Sequence, residues 1–260
     1  MDTFGIQWSI KRICLMKHLA ITLCLLGSCI FASAQKINTL GKGLRSQGSP
    51  YNIVEDASGR VYVGGNIKEI DGIETISMAI LENGVWSQLP GDPEVAWKTQ
   101  TVGNDLYVSG LFATSNGGVL HWDGLQWDTL SDGLPNGMTV QDMDWAENYL
   151  WMLLGDQSLV RWENDTWKTA PSPAGLRLIG MKSLGDTLFS WGYLVSGNVG
   201  YAAISYFNSG AWTQLPPLSE YNSISDVERW GQKIYIALGN KILQWNGNSW
   251  DEFYSVNASQ

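Results

Sequence analysis

The chain has 260 residues, with 16 basic against 25 acidic side chains, a net charge of −9, and an unusual share of tryptophan (14) and glycine (29). An acid excess of this size argues against nucleic acid and against an anionic membrane surface as partners. The three cysteines, Cys14, Cys24 and Cys29, all fall in the first 34 residues, so the remainder has no disulfide, no thiolate metal site and no cysteine nucleophile.

Residues 1–34 read as a signal peptide rather than as part of the fold. Lys11, Arg12 and Lys17 precede an apolar run of 13 residues, Leu19 to Phe31, and Ala32-Ser33-Ala34 supplies the small side chains of a cleavage site. The run is shorter than the ~20 residues that a membrane-spanning helix needs. Met16-Lys17 would open a compact leader by itself. Cleavage at Ala34-Gln35 predicts a secreted or cell-surface protein with no membrane insertion of the mature chain. Without Asp2, Lys11, Arg12 and Lys17, 13 basic and 24 acidic residues remain. A lipoprotein signal ending at Cys29 is the competing reading, but Gly27 fits that motif poorly.

Residues 35–50 form a lead-in, in which Lys36 to Leu44 resembles the end of a strand and the loop after it. From residue 51 to 254 one unit is spelled five times, before a tail at 255–260. The clearest copy runs from Leu106 to Leu130. Leu106-Tyr107-Val108 is a strand of alternating large side chains, and Val119 to Trp122 is a second strand. Asp123-Gly124 marks a tight turn, since such turns need the positive φ that glycine adopts without strain. Trp127 anchors the strand that returns. The Tyr107 strand recurs around Tyr62, Trp151, Phe189 and Tyr235. The anchor recurs as Trp86, Trp167, Trp212 and Trp250, at intervals of 41, 40, 45 and 38 residues. A further strand precedes each Tyr strand, so each unit has four, here called a, b, c and d. A period near 40 with four strands is the signature of propeller blades. The expected fold is all-β, a propeller of five four-stranded blades, with the preserved part of a larger ring as the alternative.

The pattern resembles the LYVGG…WDGxxWxxL repeats of secreted bacterial β-propellers and is similar in layout to kelch repeats. The resemblance covers about residues 51–254. It implies architecture and export, and says little about activity.

Candidate chemistry is sparse. After the signal, His121 is the only histidine, and its equivalents in the other units are Leu81, Arg161, Tyr206 and Gln244, the profile of a surface strand position. No phosphate-binding loop and no ordered calcium loop is present, so neither a cofactor nor a metal is expected. Eight tryptophans fall on repeat-equivalent positions and are expected to pack blade against blade. Trp97, Trp145, Trp191 and Trp230 remain as weaker candidates for stacking on sugars.

Loop length is more informative. The a–b and c–d turns are uniformly tight and share one face of the disc. The b–c and d–a connections lie on the other face and are long and variable, and a rigid scaffold carries its binding residues on such loops. The leading reading is a non-enzymatic binding or surface-interaction module for a protein or glycan ligand, with candidate contacts Glu69, Asp71, Glu74, Tyr193 and Tyr221. A structural segment of an adhesin-like assembly is a competitor. The alternative with chemistry is a glycoside hydrolase. Counting back six residues from strand b puts Glu55, Gln100, Asp144, Lys182 and Glu228 on the innermost strands, with Asp56 replacing Glu55 if the register shifts. Counting back eight adds Asp142 and Asp226. Glu55, Asp144 and Glu228 would then be the carboxylates meeting near the axis, where a pair supplies the acid and the base of glycosidic cleavage.

Overall fold

A computed structural model describes residues 49–91, 94–111, 118–134, 138–196, 199–218 and 223–255. They form 22 strands and no helix. Twenty of the strands make five four-stranded antiparallel sheets, arranged as a five-bladed β-propeller. Blade 1 is β1 (Ser49–Glu55), β2 (Val61–Asn66), β5 (Met78–Glu82) and β6 (Val85–Gln88). Blade 2 is β7 (Val95–Val102), β8 (Asp105–Leu111), β9 (Val119–Trp122) and β10 (Trp127–Leu130). Blade 3 is β11 (Val140–Ala146), β12 (Tyr149–Leu154), β13 (Leu159–Glu163) and β14 (Thr166–Thr169). Blade 4 is β15 (Leu176–Leu184), β16 (Thr187–Ser196), β17 (Val199–Asn208) and β18 (Ala211–Gln214). Blade 5 is β19 (Ile224–Trp230), β20 (Lys233–Leu238), β21 (Lys241–Trp245) and β22 (Trp250–Ser255). The remaining pair, β3 (Glu69–Ile70) and β4 (Ile73–Glu74), is a small hairpin inside the b–c connection of blade 1.

Four apolar clusters fill the spaces between successive blades. The aromatic of each b strand faces forward to the next blade, and the tryptophan of each d strand faces back. The indole N–H groups fasten this arrangement. Trp127 Nε1 donates to Pro90 O at 2.6 Å, Trp167 Nε1 to Leu130 O at 2.9 Å and Trp212 Nε1 to Pro171 O at 2.7 Å, each acceptor lying at or just beyond the end of the preceding d strand. These tryptophans are blade-to-blade packing, as the repeat predicts. A fifth cluster covers the backward face of blade 1, where Ile67 and Ile70 at the β3–β4 hairpin bury Val63, Ala79, Leu81 and Trp86.

Every a strand carries a β-bulge at the same place, between residues 50 and 52, 96 and 98, 140 and 142, 178 and 180, and 224 and 226. In blades 1, 2 and 4 the a-strand backbone before the bulge comes so close to strand b that a Cβ on Gly65, Gly110 or Gly192 would collide with Ser49 O, Val95 O or Arg177 O, whereas blades 3 and 5 carry Leu154 and Leu238 at this position.

Candidate functional site

The a strands carry the polar groups that join one blade to the next. Asn52 Nδ2 donates to Trp97 O at 2.7 Å, Thr101 Oγ1 to Glu55 O at 2.8 Å, and Gln141 Nε2 to Ile179 O at 3.0 Å. Each bond reaches a backbone carbonyl of the a strand in the neighbouring blade.

Asp142 and Asp144 extend the pattern with charge. Asp142 accepts from Met181 N at 3.0 Å and pairs with Lys98 Nζ at 3.0 Å. Asp144 accepts from Ser183 N at 2.7 Å, Ser183 Oγ at 2.8 Å and Trp145 N at 2.7 Å. Burial pushes the Asp144 carboxyl above the usual aspartate range. The Ser183 and Trp145 bonds oppose that shift, and neighbouring Asp142 adds to it. In blade 4 Lys182 bridges Asp226 at 3.1 Å and Glu228 at 2.5 Å. Burial draws the Lys182 ammonium down, but the two carboxylates outweigh it and hold its pKa above the usual lysine value.

Register decides which inner-strand residues correspond. Gln100, Asp144, Lys182 and Glu228 each stand opposite the aromatic of strand b, facing Tyr107, Trp151, Phe189 and Tyr235. In blade 1 the residue opposite Tyr62 is Val54. Glu55 stands opposite Val61, one step out of line, and is exposed. Asp56 is buried in the a–b turn, where its Oδ1 accepts from Ser58 N at 2.9 Å and Arg60 N at 3.0 Å, and its Oδ2 pairs with Arg60 Nε at 2.5 Å and receives Tyr62 OH at 3.2 Å. Burial, with Asp56 beside it, pushes the Tyr62 phenol up to about 12, although Arg60 draws it down. Lys98, Thr101 and Ser183 are members of the network that sequence reading missed. Lys98 had a detectable signal, because it occupies the position of Asp142 in the preceding repeat.

The loop candidates divide. Glu69 and Glu74 lie opposite each other in the β3–β4 pair, and Asp71 sits at its turn with φ 52° beside Gly72 at 85°. Thr75 closes the loop by donating Oγ1 to Ile67 O at 2.7 Å. Ile73, Glu74 and Ile76 are exposed on it. Tyr193 is not in a loop. Residues 193–196 belong to β16 and residues 199–200 to β17, with Tyr193 paired to Arg177 and Ala202. Tyr221 lies outside the described residues. Among the four unassigned tryptophans, Trp191 is buried against Gly180 and Trp145 stacks on Tyr107 at 6.4 Å, whereas Trp230 is exposed. His121 stacks on Tyr107 at 4.8 Å.

No protein-family profile matches the chain, and no curated protein is similar to it. Solved structures are. YCF48 bound to D1 peptide is 15% identical, with a TM-score of 0.54 over 86% of this chain and 69% of that one. The extracellular domain of a hybrid two-component system from B. thetaiotaomicron is 12% identical, with a TM-score of 0.54 over 83% of this chain and 34% of that one. A prolyl endopeptidase is 9% identical, with a TM-score of 0.51 over 76% of this chain and 33% of that one. The chain thus spans about a third of the last two, and at these identities the likeness is one of fold.

Proposed function

We propose that the protein is an exported binding module that captures a protein or glycan ligand through its b–c and d–a connections. The observation that carries this reading is the asymmetry of the disc. On one face each a–b turn is short, two residues in blades 2 to 5 and five in blade 1. On the other face the connections include the β3–β4 hairpin and the extended β16–β17 hairpin, with Ile73, Ile76, Val195 and Tyr201 exposed on them. Exposed apolar side chains beside Glu69 and Glu74 suit a partner with both apolar and polar groups. That YCF48 was solved with a peptide, on the same fold, agrees with this use of the scaffold. In this reading Asp142 and Asp144 fasten blades 3 and 4 rather than cleave a glycosidic bond.

The test is a glycan and peptide array probed with the secreted protein and with an Ile73→Ser, Glu74→Ser, Ile76→Ser variant. This variant leaves the buried Ile67 and Ile70 in place. Loss of capture with an unchanged melting temperature is expected. Equal capture by both proteins rejects this face as the binding surface, and no capture by either favours a structural role.

A further inference from the structure

The seam after blade 5 is unlike the four before it. The a-strand residues that pack back on a preceding blade are Thr99, Met143, Met181 and Val227, none more than 7% exposed. Their counterpart in blade 1, Ile53, is 44% exposed. On the forward side of blade 5, Trp230 is 61% exposed and Phe253 54% exposed. Both lie against Tyr235, with ring centroids at 6.2 and 5.2 Å. Tyr235 is the b-strand aromatic that in blades 1 to 4 is covered by the next blade.

Blade 3 shows what such a face holds. Asp142 and Asp226 occupy one register position, opposite Leu153 and Ala237. Each uses Oδ1 twice: for the next backbone N–H, Met143 at 3.1 Å and Val227 at 2.9 Å, and for a lysine of the preceding blade, Lys98 at 3.0 Å and Lys182 at 3.1 Å. In blade 3 the other oxygen, Asp142 Oδ2, then grips the Met181 amide, and Asp144 Oδ2 grips the Ser183 amide two residues on. In blade 5 the corresponding acceptors are Asp226 Oδ2 and Glu228 Oε2. Neither has a donor among the described residues. The two carboxylates share one Lys182 ammonium, which leaves the face with surplus negative charge.

We propose that the forward face of blade 5 docks an extended, basic peptide strand of a partner protein. Alternate amides of the strand bond Asp226 and Glu228, its apolar side chains pack on Tyr235 and Phe253, and a lysine or arginine meets the surplus charge. The mode is the one by which blade 3 holds β15, turned outward to a ligand. This site is separate from the b–c and d–a loops, so each reading stands or falls without the other.

The probe is the β15 sequence itself, a fluorescein-labelled peptide LRLIGMKSL, titrated with the secreted protein and read by fluorescence anisotropy. Saturable binding is expected, weakened at least tenfold by Asp226→Ala and by N-methylation of the peptide amide that corresponds to Met181. Trp230→Ala, at an exposed site that leaves the fold intact, weakens it as well, while a Glu69→Gln, Glu74→Gln variant binds as the parent does. Absence of saturable binding overturns the proposal. So does binding indifferent to Trp230→Ala and to N-methylation. A concentration-dependent dimer that Trp230→Asp dissolves, with no peptide bound, assigns the face to a second copy instead.

Discussion

Gly180 provides a sharp test of the packing within blade 4, where it pairs with Trp191. A Cβ built there would lie 2.5 Å from Trp191 Cζ2 and 2.6 Å from Cε2, inside any real contact distance. The Trp191 ring is itself buried and cannot move aside freely. Overpacking of this kind costs about 1–3 kcal/mol. Replacing glycine stabilises a compatible backbone by about 0.4–1 kcal/mol through the unfolded chain, which offsets part of that cost. Gly180→Ala should therefore lose about 1–2 kcal/mol. At roughly 2–4 °C per kcal/mol for a domain of this size, the melting temperature falls by ~2–8 °C. Thermal and urea unfolding of Gly180→Ala, Trp191→Phe and the double variant form the assay. The smaller ring makes room for the new methyl, so the double variant should be more stable than the sum of the single losses predicts. A Gly180→Ala protein that melts at or above the parent temperature, or strict additivity in the cycle, would refute the steric reading.

Three further outcomes are expected. Trp167→Phe should cost about 1 kcal/mol more than Trp250→Phe, measured by urea unfolding, because Trp167 loses an indole hydrogen bond, whereas Trp250 Nε1 is buried with no partner among the described residues. Asp56 and Asp144 should bend the pH–stability curve in opposite senses. The Asp56 carboxyl, despite burial, is held low by Ser58 and Arg60, so its contribution is present above the unfolded value of 3.8 and disappears as pH falls through the folded one. The Asp144 carboxyl is raised, so its contribution is full below 3.8 and is lost as pH rises through the folded value; urea unfolding from pH 3 to 8 with Asp56→Asn and Asp144→Asn should remove these two slopes separately. Mass spectrometry of the secreted form should find Gln35 at the N-terminus, and a diacylated Cys29 would replace the signal-peptide reading with the lipoprotein one.

The five-blade architecture was legible because its determinants are local and repeated. Turn glycines with positive φ, the d-strand tryptophans and the alternating b strands can each be read within a few residues. The candidate site was less legible, and the misses have physical causes. Glu55 fell out of line because the connection built around the Asp56 carboxylate puts Tyr62 eight positions after its partner Val54, one more than the seven from Gln100 to Tyr107. Since side chains alternate with period two, one residue turns the whole inner face over. Tyr193 read as loop because Gly192, Gly197 and Gly200 surround it. At Gly192 the a-strand backbone at Arg177 occupies the space of a Cβ. Ser183 and Lys98 act through partners about 40 residues away, and such pairings follow only once blade order and register are known.

The β3–β4 hairpin has a consequence for how the molecule comes apart. Stacked repeats lose structure from whichever end lacks a lid, since an interior unit is held by two neighbours and a terminal one by a single neighbour. Blade 1 carries its own lid in Ile67 and Ile70, whereas the far side of blade 5 shows Trp230 and Phe253 to water. Native-state amide exchange should therefore be graded along the chain, fastest in β20–β22 and slowest in β11–β16. The ladder of opening energies should tilt toward blade 5, and a ligand seated on that blade would level it.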